Sequence, residues 1–209
     1  MTDLRRSLLR GMSSIVTDLY GTPAPAQHTA TLKSADAPIP AKPPALPPFV
    51  KLWKTADETI DWTDILISPT PTDGLTPPEK WAFLHRHAPG VLKGEMAAYL
   101  SVLQQENPMA DLTPYVAALD VTCVDADTLR AAFVPRADLH GEEYLCGMAV
   151  RIARDLFAAL PVLSVDVQAV QANETLLSAS FARAEMNKVR FAFIDPVDFL
   201  KQCGGQIME

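Results

Sequence analysis

Residues 140–182 read HGEEYLCGMAVRIARDLFAALPVLSVDVQAVQANETLLSASFA, and this stretch frames the fold. From His140 to Leu160, Leu145, Met148, Ile152, Leu156 and Phe157 recur at helical spacing and form one apolar stripe. Pro161 cannot continue a helix and ends it. Leu163, Val165, Val167 and Ala169 then alternate with Ser164, Asp166 and Gln168, the period of a strand with one face buried. Gln171 to Glu174 make a polar turn, and Leu177, Ala179 and Phe181 alternate again with Ser178, Ser180 and Ala182. The pattern predicts an antiparallel hairpin. A lone hairpin is unstable, so the preceding helix is expected to cover its apolar face. Asp195, Pro196 and Asp198 open a short last helix that Gly204 and Gly205 end, giving a helix–β-hairpin–helix unit over 136–209.

Upstream the signals are helical. Phe49 to Ser68 predicts a helix followed by a short buried run. Thr76, Pro77, Pro78 and Glu79 form a strong helix start, with Pro89 and Gly90 as its stop. A further helix is expected from about Val91 to Gln105. Thr113 and Pro114 open a shorter one through Leu119, and Asp125 or Asp127 caps a turn or two through Phe133. The expected fold class is therefore α+β and mainly α, short packed helices followed by the C-terminal unit. The globular domain spans 49–209.

Two segments precede that domain. Thr2 or Asp3 caps a predicted amphipathic helix over residues 1–20, whose apolar face carries Leu4, Leu8, Met12, Ile15, Val16 and Leu19. Residues 21–48 hold Pro23, Pro25, Pro38, Pro40, Pro43, Pro44, Pro47 and Pro48, which favour an extended, flexible tether. A short helix alone is marginal in water, so it needs an apolar surface. That surface is its own domain, a second copy, another protein's groove, or a membrane face.

Composition narrows the function classes. The 209 residues are 48% hydrophobic and 21% charged, ordinary globular usage, with a formal net charge of −7. An acidic chain lacks the broad basic surface that grips nucleic-acid phosphates, so nucleic acid is not the expected partner. Three scattered cysteines, Cys123, Cys146 and Cys203, point to a reducing compartment and a cytoplasmic protein. No window suggests a membrane span.

The search for chemistry assigns no catalytic residue, metal ligand or cofactor. His85 and His87 lie two apart on a predicted helix and so point in different directions. His140, Glu142, Glu143 and Cys146 crowd a helix start, which capping and the helix dipole explain. A zinc deaminase would add cysteines two residues apart, and the chain has no such pair. Asp120, Asp125, Asp127, Asp166, Glu174 and Glu185 read as solvated turn and hairpin charges. No phosphate-cradling glycine loop or nucleophile elbow occurs. The expected function is a non-enzymatic, adaptor-like interaction protein. Leu4, Leu8, Met12, Ile15 and Leu19 would contact a protein partner or a second copy. The rival is a nucleic-acid-processing or metal-dependent enzyme assembled from scattered residues, with Arg151, Arg154, Arg183, Lys188, Arg190 and His140 as its candidates.

Overall fold

The structure is a computed structural model that describes residues 28–31, 51–139 and 141–208. The five apolar residues proposed for partner contact, and His140, lie outside them. Strand β1 (His28–Thr31) comes first, followed by a 3-10 turn at Leu52–Lys54 and helices α1 (Trp62–Ile67), α2 (Pro78–Leu92) and α3 (Met96–Glu106). A second 3-10 turn (Ala110–Tyr115) leads into β2 (Val116–Cys123) and β3 (Thr128–Pro135). The long α4 (Glu142–Ala159) precedes β4 (Ser164–Gln171) and β5 (Glu174–Ala182). The chain closes with α5 (Arg183–Met186), a 3-10 turn (Phe191–Phe193), α6 (Pro196–Gln202) and β6 (Gln206–Ile207).

These elements overturn the expected mainly helical body with a terminal helix–hairpin–helix. The β4–β5 hairpin is not a separate unit: it lies inside a six-stranded mixed sheet ordered β1 to β6. The segments read as helices before Leu119 and before Phe133 are a 3-10 turn followed by β2, and β3. The misreading has a physical cause. Val116-Ala-Ala-Leu and Leu129-Arg-Ala-Ala are rich in helix formers, but pairing on both sides of β3 overrides that preference. Asp125 does not cap a helix. Its Oδ1 accepts the Asp127 N–H at 2.9 Å in the turn that joins the two strands.

All neighbouring strands run antiparallel except β3 and β4, which are parallel from Thr128↔Ser164 to Phe133↔Ala169. Parallel neighbours need a crossover, and α4 supplies it. Leu129, Ala131 and Phe133, Val165, Val167 and Ala169, and Leu177, Ala179 and Phe181 all point to the face that α4 covers. The opposite face carries Arg130, Asp166, Gln168, Ser178 and Ser180, with Arg130 Nη2 3.9 Å from Asp166. Helix α4 is enclosed on nearly all sides. Besides the sheet it meets the 51–62 segment, where the Ile60 N–H donates to the Ala158 carbonyl and Trp62 Nε1 to that of Ala159, both at 2.9 Å.

Boundaries moved for local reasons. Helix α2 continues through Pro89 and stops at Gly94, whose φ of +73° suits only glycine comfortably. In the 49–68 region the order is reversed. A 3-10 turn comes first, then α1, capped by Asp61 Oδ1 on the Thr63 and Asp64 N–H groups, and its Ile67 is exposed. Within the span read as a tether, the proline-free His28–Thr31 pairs with β2.

The β4–β5 turn places Ala172 and Asn173 at φ +50° and +68°. Two consecutive positive φ values define the primed turn that matches strand twist, but an alanine there costs about 1 kcal/mol. Ala172→Asn is therefore expected to raise the unfolding free energy by about that amount in urea titrations; an unchanged midpoint would refute it.

Candidate binding cleft

The second half of α4 carries Arg151, Arg154 and Asp155, three charged residues on a helix that is otherwise largely apolar and buried. They hold the 53–57 segment against it. Arg151 is 3% exposed and Asp155 fully buried. Arg151 Nε donates to Asp155 Oδ2 at 2.7 Å, its Nη1 to Thr55 Oγ1 at 2.6 Å, and its Nη2 to Asp111 Oδ2 at 3.0 Å. Asp57 adds its own carboxylate 3.7 Å from Arg151 Nη2, and its N–H donates to Asp155 Oδ1 at 3.0 Å. A buried charge survives only when paired and hydrogen-bonded in this way.

Burial dominates the Asp155 carboxyl. It lifts the group from 3.8 to about 7, against the opposing pull of the Asp57 N–H and of Arg151. The folded chain thus holds this proton more tightly than the unfolded chain. The group's stabilising contribution is complete below about pH 4 and is lost as pH rises through about 7. Compared with Asp155→Asn, which cannot titrate there, the native chain is expected to lose unfolding free energy between about pH 4 and 8. Parallel pH profiles for the two proteins would contradict this.

Beside this cluster lies a cleft of about 180 Å³, bounded by the 56–59 segment, by α4 and by the stretch from Arg183 to Phe191. Two arginines line it. Arg154 Nη1 donates to the carbonyls of Trp53 and of Thr55, the latter at 2.9 Å, and its guanidinium lies 4.1 Å from the centre of the Phe191 ring. Arg183 donates through Nε to the Val162 carbonyl at 2.6 Å. Its Nη2 donates to the carbonyls of Phe157, at 2.8 Å, and Leu160, and its guanidinium lies over the Phe157 ring at 4.9 Å. The Arg183 donors thus satisfy carbonyls at the C-terminal end of α4, Phe157 and the capping Leu160, a position where a cation is favourable.

Among the described residues, neither Arg154 nor Arg183 has a carboxylate within ion-pair distance. Burial lowers the pKa of both, with Asp155 partly opposing the shift at Arg154, yet an arginine remains charged at any ordinary pH. Among the described residues, carbonyls engage Arg154 through Nη1 and Arg183 through Nε and Nη2. Phe193, two residues beyond Phe191, is 84% exposed.

The five cations singled out in the sequence therefore separate. Arg151 is enclosed by carboxylates, Lys188 pairs with Glu185 at 2.8 Å on the surface, Arg190 is exposed, and only Arg154 and Arg183 share the cleft. The remaining candidates have local explanations. His87 Nδ1 lies 2.9 Å from the Phe83 carbonyl, with its ring against Phe83. Burial pushes the thiols of Cys123 and Cys146 up to about 11 and about 12, and Cys203 upward too, the opposite of a reactive thiolate. Among the described residues, no three His, Cys, Asp or Glu side chains are grouped to hold a metal, and no helix is long and apolar enough to cross a membrane.

Comparison with known proteins adds no assignment. The chain matches no protein-family profile, no curated protein and no solved structure.

In the sequence Asp155 reads only as one of the carboxylates that balance the cations between residues 150 and 190. The available signal was its i,i+4 spacing from Arg151 in a helix whose other residues are mostly apolar. A charged pair in such a setting is buried only if its members neutralise each other.

Proposed function

We propose that this chain is a non-enzymatic, adaptor-like interaction protein of the cytoplasm, with the Arg154–Arg183 cleft and its rim as one contact surface. The observation that carries this reading is a cleft lined by two arginines that have no carboxylate partner among the described residues, with the exposed Phe193 two residues beyond the cleft-lining Phe191. Arginine and aromatic side chains are enriched at the energetic centres of protein interfaces. The apolar face of residues 1–20 (Leu4, Leu8, Met12, Ile15 and Leu19) supplies a second contact in the same proposal, toward a partner or a second copy.

Affinity capture from native extract and light scattering test it on the full-length chain, the Phe193→Ser variant and the Leu8→Asp/Ile15→Asp double variant, with folding checked by circular dichroism. Each variant is expected to lose a captured partner, or a larger assembly, that the native chain retains. Identical capture and identical mass for all three folded proteins would overturn the reading. Point substitutions are preferable to a chain starting at Phe49, because that deletion also removes β1.

A further inference from the structure

Resting on that interaction reading, we propose that the cleft between α4 and the Arg183–Phe191 stretch is an oxyanion site that receives a glutamate or aspartate carboxylate from the partner. Three observations on the described residues converge. Arg154 and Arg183 both line one concave space, and neither is neutralised by a carboxylate. Each retains donor nitrogens beyond those that the protein's carbonyls engage: Nε and Nη2 on Arg154, Nη1 on Arg183. The space, about 180 Å³, is well above what a single water needs and admits one carboxylate with its side-chain stem.

The site is also shaped for an acid carried on an apolar stem. Phe157, Phe191 and Met186 line it beside the arginines, and half-buried guanidinium groups bind carboxylates more strongly than fully solvated ones do. Among the described residues lining the cleft, Asp57 is the one acid, and its carboxylate lies 3.7 Å from Arg151. Asn187 is exposed and also lines the cleft, so a charge can be introduced there without disturbing the core.

The test uses the full-length chain, a short acetylated glutamate-rich peptide, its glutamine counterpart, and inorganic phosphate as a free anion. Binding is followed by calorimetry and by the Arg154 and Arg183 side-chain NMR signals. The glutamate peptide is expected to bind and to shift both arginines, the glutamine peptide to bind at least about tenfold more weakly, and Asn187→Asp to weaken the glutamate peptide by a similar factor. Asn187→Ser, which adds no charge, is expected to bind as the native chain does.

Equal binding by Asn187→Asp and the native chain would place the peptide elsewhere and overturn the proposal. So would binding of phosphate without binding of the glutamate peptide, or binding of neither. In the last case the interaction reading is judged separately, by the Phe193→Ser and Leu8→Asp/Ile15→Asp results, so the two failures are distinguishable.

Discussion

Below the pH at which Asp155 ionises, Asp155→Ala is expected to lower the unfolding free energy by about 3 kcal/mol, because the buried Arg151 and the Asp57 N–H lose their acceptor. Asp155 is fully buried, and alanine removes both the acceptor for Arg151 Nε and the acceptor for the Asp57 N–H. Arg151 keeps Asp111 and Asp57, whose side chains are about half exposed and cannot replace an enclosed partner. For a body of this size the change corresponds to a fall in Tm of roughly 6–12 °C. Urea titration and calorimetry at about pH 5, below the pH at which Asp155 ionises in the fold, measure it. A loss below about 1 kcal/mol would mean that the cluster does not hold the 53–57 segment as described.

The second large effect concerns Gly147, on the α4 surface that faces Trp53. A Cβ built there falls 2.6 Å from Trp53 Cε3 and 3.1 Å from Cζ3, and Trp53 is 2% exposed. The indole therefore lies directly against the helix backbone. Gly147→Val is expected to displace the indole and cost about 3 kcal/mol, because an overpacked core has to shift rigid groups rather than flexible side-chain ends. The Trp53 indole NMR resonance and the urea midpoint report the two parts of this prediction. A valine variant with native stability would show that the helix and the 52–54 turn are not in close contact. Since Arg154 binds the carbonyls of Trp53 and Thr55, the same displacement is expected to distort the cleft.

The legible parts of the sequence were those with long, unbroken periods. Helix α4 has 18 residues, and β4 and β5 alternate from Ser164 to Ala169 and from Leu177 to Ala182, outside which their register shifts near Val170. Strands β2 and β3 were hidden because their composition favours helix and the burial pattern of β2 is irregular beside the register shift near Ala118. Their conformation is set by neighbours distant in sequence, a tertiary effect that local propensity does not contain. The cleft was hidden for a related reason. Arg154 and Arg183 were both noted as cations, but spacing alone could not distinguish them from Arg151, Lys188 and Arg190. Only the return of β5 alongside β4 brings Arg183 to the end of α4, next to the carbonyls of Phe157 and Leu160.

The margins of the sheet bear on how the protein behaves in concentrated solution. A long unpaired strand edge is a template for adding strands from other molecules, and aggregation begins there. In this fold the outermost strands are short: β1 has four residues at one side and β6 two at the other. Four backbone pairs, from His28↔Cys123 to Thr31↔Asp120, cover the second half of β2. Loss of His28–Thr31 would bare the Asp120–Cys123 half of the β2 edge, so these four residues shield that stretch from strand addition.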